Sequence, residues 1–121
     1  MSHKLKLSVY NASDYKIKEY KVHHEWDGHN EVLEGSNLDK SESSEDITIT
    51  TGYGPEYDNW KVNIIFDRKK NADQDVSFYC NSSHSDTGVV IRVKNKSVNC
   101  EYFKESNPTS SCDNKHFNSI F

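Results

Sequence analysis

The chain is poor in the residues that build helices and large apolar cores. Its 121 residues include four leucines, two alanines and one methionine, and 33% of them are hydrophobic, which is below the usual share. Serine and asparagine are abundant, and their side chains compete for the backbone hydrogen bonds of a helix. The composition argues against a helical protein, and the length predicts one domain over residues 1–121.

Concentrated positive charge and long apolar runs are also missing. The net charge is -4 and no lysine or arginine cluster persists, so we expect no nucleic-acid partner. No apolar run approaches the length of a membrane-spanning helix. The first residues lack the apolar stretch of a signal peptide, so we expect a cytoplasmic protein, one released without a classical signal, or a mature secreted form. The odd count of three cysteines leaves their pairing open.

Catalytic signatures are absent as well. The sequence contains no Gly-x-Ser-x-Gly elbow, no phosphate-binding glycine loop and no His-Glu-x-x-His helix. Serines, histidines and acids are numerous, but no spacing sets any of them apart as a catalytic group. We therefore expect no enzymatic activity and no cofactor.

What the chain does have is alternation. Apolar residues recur at every second position in several runs, which is the period of half-buried strands, and short strands with frequent turns are typical of a sandwich. We predict an all-β fold, a single antiparallel β-sandwich of about seven to nine short strands. Asp27-Gly28 predicts a hairpin, a phase slip near residues 18–19 a bulge, and residues 35–46 an exposed loop. The predicted core comprises Leu5, Leu7, Val9, Val62, Ile64, Phe66, Phe78, Val89, Ile91 and Val93.

Two segments contain residues of the types that bind metals. Residues 23–31 hold three histidines and three acids, a set that suits zinc or copper. On a strand, His23 and His24 face opposite sides, so this cluster is split unless the hairpin returns His29 toward His24. Residues 71–75 read Asn-x-Asp-x-Asp, but they lack the glycine of an EF-hand loop and follow three basic residues. We predict no metal site in either segment.

Residues 51–59 form the predicted binding loop. Two glycines and a proline give its backbone a shaped path, and tyrosines offer rigid contact area. We expect Tyr53 and Tyr57 to contact the ligand, and Asp58 and Asn59 to supply polar edges. The hairpin residues Trp26 and His29 are the alternative site, while Trp60 opens a core stripe.

Several of these segments resemble the aegerolysin group. The matching features are Val9-Tyr10-Asn11, the Trp-Asp-Gly turn at 26–28, the Ile-Thr-Ile-Thr-Thr-Gly run at 47–52, and Trp-Lys-Val-Asn-Ile-Ile-Phe at 60–66. The match is a pattern of strands, and the Gly-Thr-Glu-Gly-type element of that group is absent. The resemblance implies a small acidic β-sandwich that binds membrane lipids, sometimes together with a larger partner in pore formation or insect killing.

These features together predict a binding protein rather than an enzyme. The first expectation is a lipid- or membrane-surface-binding β-sandwich of the toxin-associated type. The alternatives are a carbohydrate-binding, lectin-like module and a protein-binding effector. The expected partner is therefore a membrane lipid or a glycan surface, and edge strands together with the odd cysteine allow a homodimer.

Overall fold

The computed structural model describes residues 2–52, 57–83 and 85–117. These residues form ten strands in two sheets and no helix, which confirms the all-β prediction. None of them belongs to a helix that is long and apolar enough to cross a membrane. In chain order the strands are β1 (Ser2–Asn11), β2 (Ile17–Trp26), β3 (His29–Leu38), β4 (Ile47–Gly52), β5 (Asn59–Phe66), β6 (Asp73–Tyr79), β7 (Gly88–Val93), β8 (Ser97–Lys104), β9 (Asn107–Ser111) and β10 (Lys115–His116).

The first sheet is mixed rather than antiparallel. Its order is β10-β8-β7-β1-β4, with β9 also paired to β8, and β1 runs parallel to β7. The predicted antiparallel arrangement is therefore wrong for this pair. The sequence could not show the strand direction, because side chains alternate with the same period in parallel and antiparallel strands. The structure also has more strands than the seven to nine predicted. All residues of β9 and β10 are exposed, so they carry no burial pattern that the sequence could show.

The second sheet carries the candidate site, in the order β3-β2-β5-β6. Asp27 and Gly28 join β2 to β3 with positive φ angles of 46° and 81°, as a type I′ turn requires, which confirms the hairpin. A register shift between Ile17 and Glu19 confirms the bulge. The loop predicted over residues 35–46 begins too early, because β3 continues to Leu38. Leu38 is buried opposite Ile17. Its burial was not predicted, because its neighbours in the sequence are polar.

Inward side chains of both sheets form one hydrophobic cluster. All predicted core residues are buried except Phe78, which is partly buried and packs against the cluster. Trp60 is buried as predicted, and Phe117 covers the cluster with its ring centroid 5.9 Å from that of Phe66. Cys80 and Cys112 form a disulfide, and Cys100 is free and buried.

Candidate functional site

An exposed aromatic pair lies where the predicted binding loop joins β5. Tyr57 is 61% exposed and Tyr79, at the end of β6, is 72% exposed; their ring centroids lie 6.2 Å apart. Asn59 pairs with Tyr79 across the β5–β6 ladder, and this register brings the two rings together. Tyr53 lies outside the described residues. Tyr57 thus occupies the kind of surface position that the sequence predicts for a ligand contact.

Polar groups border the two rings. Asn59 Nδ2 donates to Glu25 Oε1 at 2.9 Å and to the carbonyl oxygen of Tyr57 at 3.2 Å. Glu25 Oε2 accepts from the backbone N–H of Gly28 at 3.0 Å, so the turn fixes the carboxylate. We refer to Glu25, Tyr57, Asn59, Lys61 and Tyr79 as the Tyr57–Tyr79 surface. It holds two neighbouring depressions of about 370 and 270 Å³ that share Asn59 and Lys61.

Asp58, which the sequence predicts as a ligand contact, lies inside the protein. It is 1% exposed, because alternation along the chain turns its side chain away from the surface that Tyr57 and Asn59 share. Its backbone N–H donates to Asn81 Oδ1 at 2.7 Å, and its carbonyl accepts from the N–H of Cys80 at 3.2 Å. Asp58 therefore positions its two neighbours, and its buried side chain is out of reach of a ligand at this surface.

A buried histidine holds Asp58 in place. His24 Nε2 lies 2.6 Å from Asp58 Oδ1, and His24 Nδ1 lies 2.8 Å from Glu31 Oε1. The hydroxyl of Thr51 donates to Asp58 Oδ1 at 2.5 Å, and the backbone N–H of Thr50 donates to Glu31 Oε2 at 2.9 Å. His24 itself is fully buried. A buried charge is tolerated only when it is paired and hydrogen-bonded, and each nitrogen of this ring has a carboxylate partner.

The two carboxylates decide the charge of His24. Burial alone would lower the pKa of His24, but the hydrogen bonds that the ring donates to Asp58 and Glu31, together with the negative charges of these carboxylates, outweigh it and raise the pKa above its ordinary value of 6.5. The charged imidazolium is therefore favoured in the folded chain, and folding takes up a proton. The stability that His24 contributes is fully present below about pH 6.5 and is lost as the pH rises through the folded-state pKa.

This sign predicts a pH dependence of folding. We expect the free energy of unfolding to fall as the pH rises above about 6.5, by at most about 1.4 kcal/mol per pH unit for one proton. Urea titrations across neutral and alkaline pH measure it, with the His24→Leu variant as the reference. The wild-type and variant slopes should differ over this range. Identical slopes would mean that His24 is not charged in the folded protein.

The alternative site at the hairpin is only partly at the surface. Trp26 is buried, and its Nε1 has no hydrogen-bond partner among the residues that the structure describes. His29 is exposed, and its ring stacks on Trp26 with the centroids 5.9 Å apart. The β2–β3 register places Glu31, not His29, opposite His24. The hairpin therefore pairs His24 with a carboxylate and leaves His29 beside Trp26.

Two partners in this region were missed by the sequence analysis. Tyr79 and Glu25 both pair with Asn59 across the sheet, and only the register of β5 with its neighbours brings them to Tyr57. Outward parity on their strands was the available signal, since each occupies a position that alternation assigns to the outer face.

In the segment at 71–75, Asp73 and Asp75 each accept a hydrogen bond from Asn63 Nδ2, at 2.7 and 2.9 Å.

Neither protein-family models nor curated proteins show a match to this chain. The resemblance to the aegerolysin group therefore stays a prediction from the sequence pattern.

Proposed function

We propose that the chain is a single β-sandwich domain that binds carbohydrate at the Tyr57–Tyr79 surface without catalysing a reaction. The observation that carries the proposal is the exposed pair of tyrosine rings beside an ordered amide and carboxylate on one sheet face. Tyrosine has an apolar face and a polar edge, which suits the C–H face and the hydroxyl groups of a sugar ring.

Hydrogen-bonding capacity remains for a ligand. Asn59 Nδ2 is occupied by Glu25 and Tyr57, which leaves Asn59 Oδ1 to accept from a sugar hydroxyl. Within the described part of the chain, each Glu25 oxygen accepts one hydrogen bond and retains a lone pair for another. Because two neighbouring depressions share Asn59 and Lys61, the surface suits an oligosaccharide better than a single sugar ring.

The burial of His24 and Asp58 favours binding over catalysis by these two groups. A general acid or base must lie within hydrogen-bond reach of the proton it transfers. His24 and Asp58 lie beneath the Tyr57–Tyr79 surface with at most 1% exposure, and they are hydrogen-bonded to each other. We therefore assign His24 and Asp58 a structural role, in which they keep the residues of the Tyr57–Tyr79 surface in position.

A membrane surface is the second candidate, and it is the one that the aegerolysin resemblance implies. Lys115 lines the larger depression together with Lys61 and Tyr79. Amphipathic rings beside cations suit the headgroup region of a bilayer. Binding to an anionic membrane through these lysines should weaken as salt is added, whereas stacking on a neutral glycan should not.

A glycan array and liposome flotation on the same preparation test both candidates. We expect binding to glycans, and the double variant Tyr57→Ala, Tyr79→Ala should bind at least about tenfold more weakly, since aromatic anchors carry much of the energy of an interface. The matched control is Tyr15→Ala, which removes a tyrosine ring that is 37% exposed. Tyr15 precedes β2 and lies near the end of β5 that is opposite to Tyr57. Binding to liposomes alone would favour the membrane candidate. Undiminished glycan binding by the double variant would contradict the assigned surface.

A further inference from the structure

Three cysteines from distant parts of the chain meet inside the protein. Cys80 follows β6, Cys100 lies in β8, and Cys112 follows β9, yet their sulfur atoms all lie within 4.8 Å of one another. Cys100 is buried, while the other two are partly buried. A single disulfide joins two of the three sulfur atoms. The third sulfur atom lies beside this disulfide and takes no part in it.

Hydrogen bonds support the arrangement in addition to the disulfide. The N–H of Cys112 donates to the carbonyl of Cys100 at 2.9 Å, and the N–H of Cys80 donates to the carbonyl of Asp58 at 3.2 Å. The carbonyl of Cys80 accepts from Trp60 Nε1 at 3.1 Å and from the hydroxyl of Tyr102 at 2.5 Å. These hydrogen bonds join Cys112 to Cys100 and hold Cys80 against its neighbours, and none of them involves a sulfur atom.

We infer that in the reduced protein Cys80, Cys100 and Cys112 form a three-thiolate site for one thiophilic divalent ion of the zinc type. Thiolates bind zinc at about 2.3 Å, which puts three sulfurs around one ion about 4 Å apart. The three sulfur atoms already lie within 4.8 Å of one another, and the Cys80 and Cys112 sulfurs must separate after reduction to reach that spacing. Soft sulfur ligands select thiophilic ions over magnesium or calcium, and three thiolates around a divalent ion leave one negative charge.

The surroundings disfavour a bare thiolate and favour a metal-bound one. Burial raises the pKa of the Cys100 thiol well above its ordinary range, and the negative charges of Asp58 and Glu101 raise it further. A hydrogen bond with Tyr102 opposes them. A bound cation reverses the balance, because a thiol that coordinates a metal ion loses its proton outright. Cys100 is therefore poorly suited to act as a free nucleophile.

Formation of the site begins with reduction. A phosphine transfers two electrons to the Cys80–Cys112 disulfide and becomes the phosphine oxide by taking up the oxygen of a water molecule, whose two protons give two thiols. The ion then displaces three protons from the three thiols. The oxidised protein lacks two of the three ligands and should not bind the ion.

Titration of the full chain with Cd²⁺ after anaerobic phosphine reduction tests the inference. The ultraviolet cadmium–thiolate band should saturate at one ion per chain, and Zn²⁺ should compete with it. The oxidised protein is the control and should show no band. In the reduced Cys100→Ser variant the band should fall in proportion to the lost thiolate, and affinity should drop by at least about tenfold.

Each other outcome counts against the site. A folded, reduced chain that binds no Cd²⁺ would overturn it, and so would a Cys100→Ser variant that binds Cd²⁺ as tightly as the wild type. If reduction alone unfolds the chain, Cd²⁺ should restore the β-sheet circular dichroism, since metal binding then supplies folding free energy. Failure to restore it would also contradict the inference. None of these readouts involves the Tyr57–Tyr79 surface.

Discussion

The His24→Leu variant is expected to lose about 3–5 kcal/mol of unfolding free energy, because it removes one partner of a buried charged pair. In the wild type, His24 bridges Asp58 and Glu31 and is fully buried. The leucine would leave the Asp58 carboxylate in the interior, where the Thr51 hydroxyl is its remaining partner at Oδ1 among the described residues. An uncompensated buried charge of this kind costs far more than the lost contact itself.

Urea unfolding monitored by tryptophan fluorescence measures this loss at pH 6, where the contribution of His24 is fully present. The matched control is His23→Leu, one residue away on the outer face of β2, where the ring is half-buried and bonds Asn30. The control should lose much less stability. A loss below about 1 kcal/mol for His24→Leu would show that the two carboxylates are accommodated without the histidine.

The Ile64→Ala variant should be destabilised by about 2–5 kcal/mol. Ile64 lies in the centre of β5 and is fully buried in the cluster that both sheets share. Truncation removes its apolar surface from the interior and leaves a cavity that the two sheets can close only in part. This loss is of the same order as that of His24→Leu, and it arises from packing rather than from charge.

Ile65→Ala is the control for this measurement, because the neighbouring side chain points to the other face of the sheet and is only partly buried. The two variants remove the same atoms from adjacent positions, so chemical denaturation compares the two faces directly. An Ile65→Ala loss equal to or greater than the Ile64→Ala loss would mean that the inward face of β5 is assigned incorrectly.

The fold could largely be predicted from the sequence in those segments where apolar and polar residues alternate regularly. The stripe of Val62, Ile64 and Phe66 gave the inward face of β5, and the same alternation put His23 and His24 on opposite faces of β2. Strand direction was not readable, because the parallel β1–β7 pair has the same alternation as an antiparallel pair. Strand β9 was missed because its side chains are all exposed.

The candidate site was readable only in part, because strand register assembles it. Composition drew attention to Tyr57 and Asn59, but Tyr79 reaches them through the β5–β6 ladder. The partnership of His24 with Asp58 joins residues 34 positions apart, a separation at which no local pattern connects them. Cys112 follows a segment without periodicity, so the meeting of the three sulfurs was equally hidden.

The most direct test of the account is to map the ligand by amide chemical-shift changes in ¹⁵N-labelled protein, using the oligosaccharide bound most tightly on the array. We predict changes at Glu25, Tyr57, Asn59, Lys61 and Tyr79, with the largest at the two tyrosines. The matched region for comparison is the depression of about 380 Å³ on the first sheet, lined by Arg92, Glu101 and Phe103. Changes centred there, with none at the Tyr57–Tyr79 surface, would contradict the proposed function.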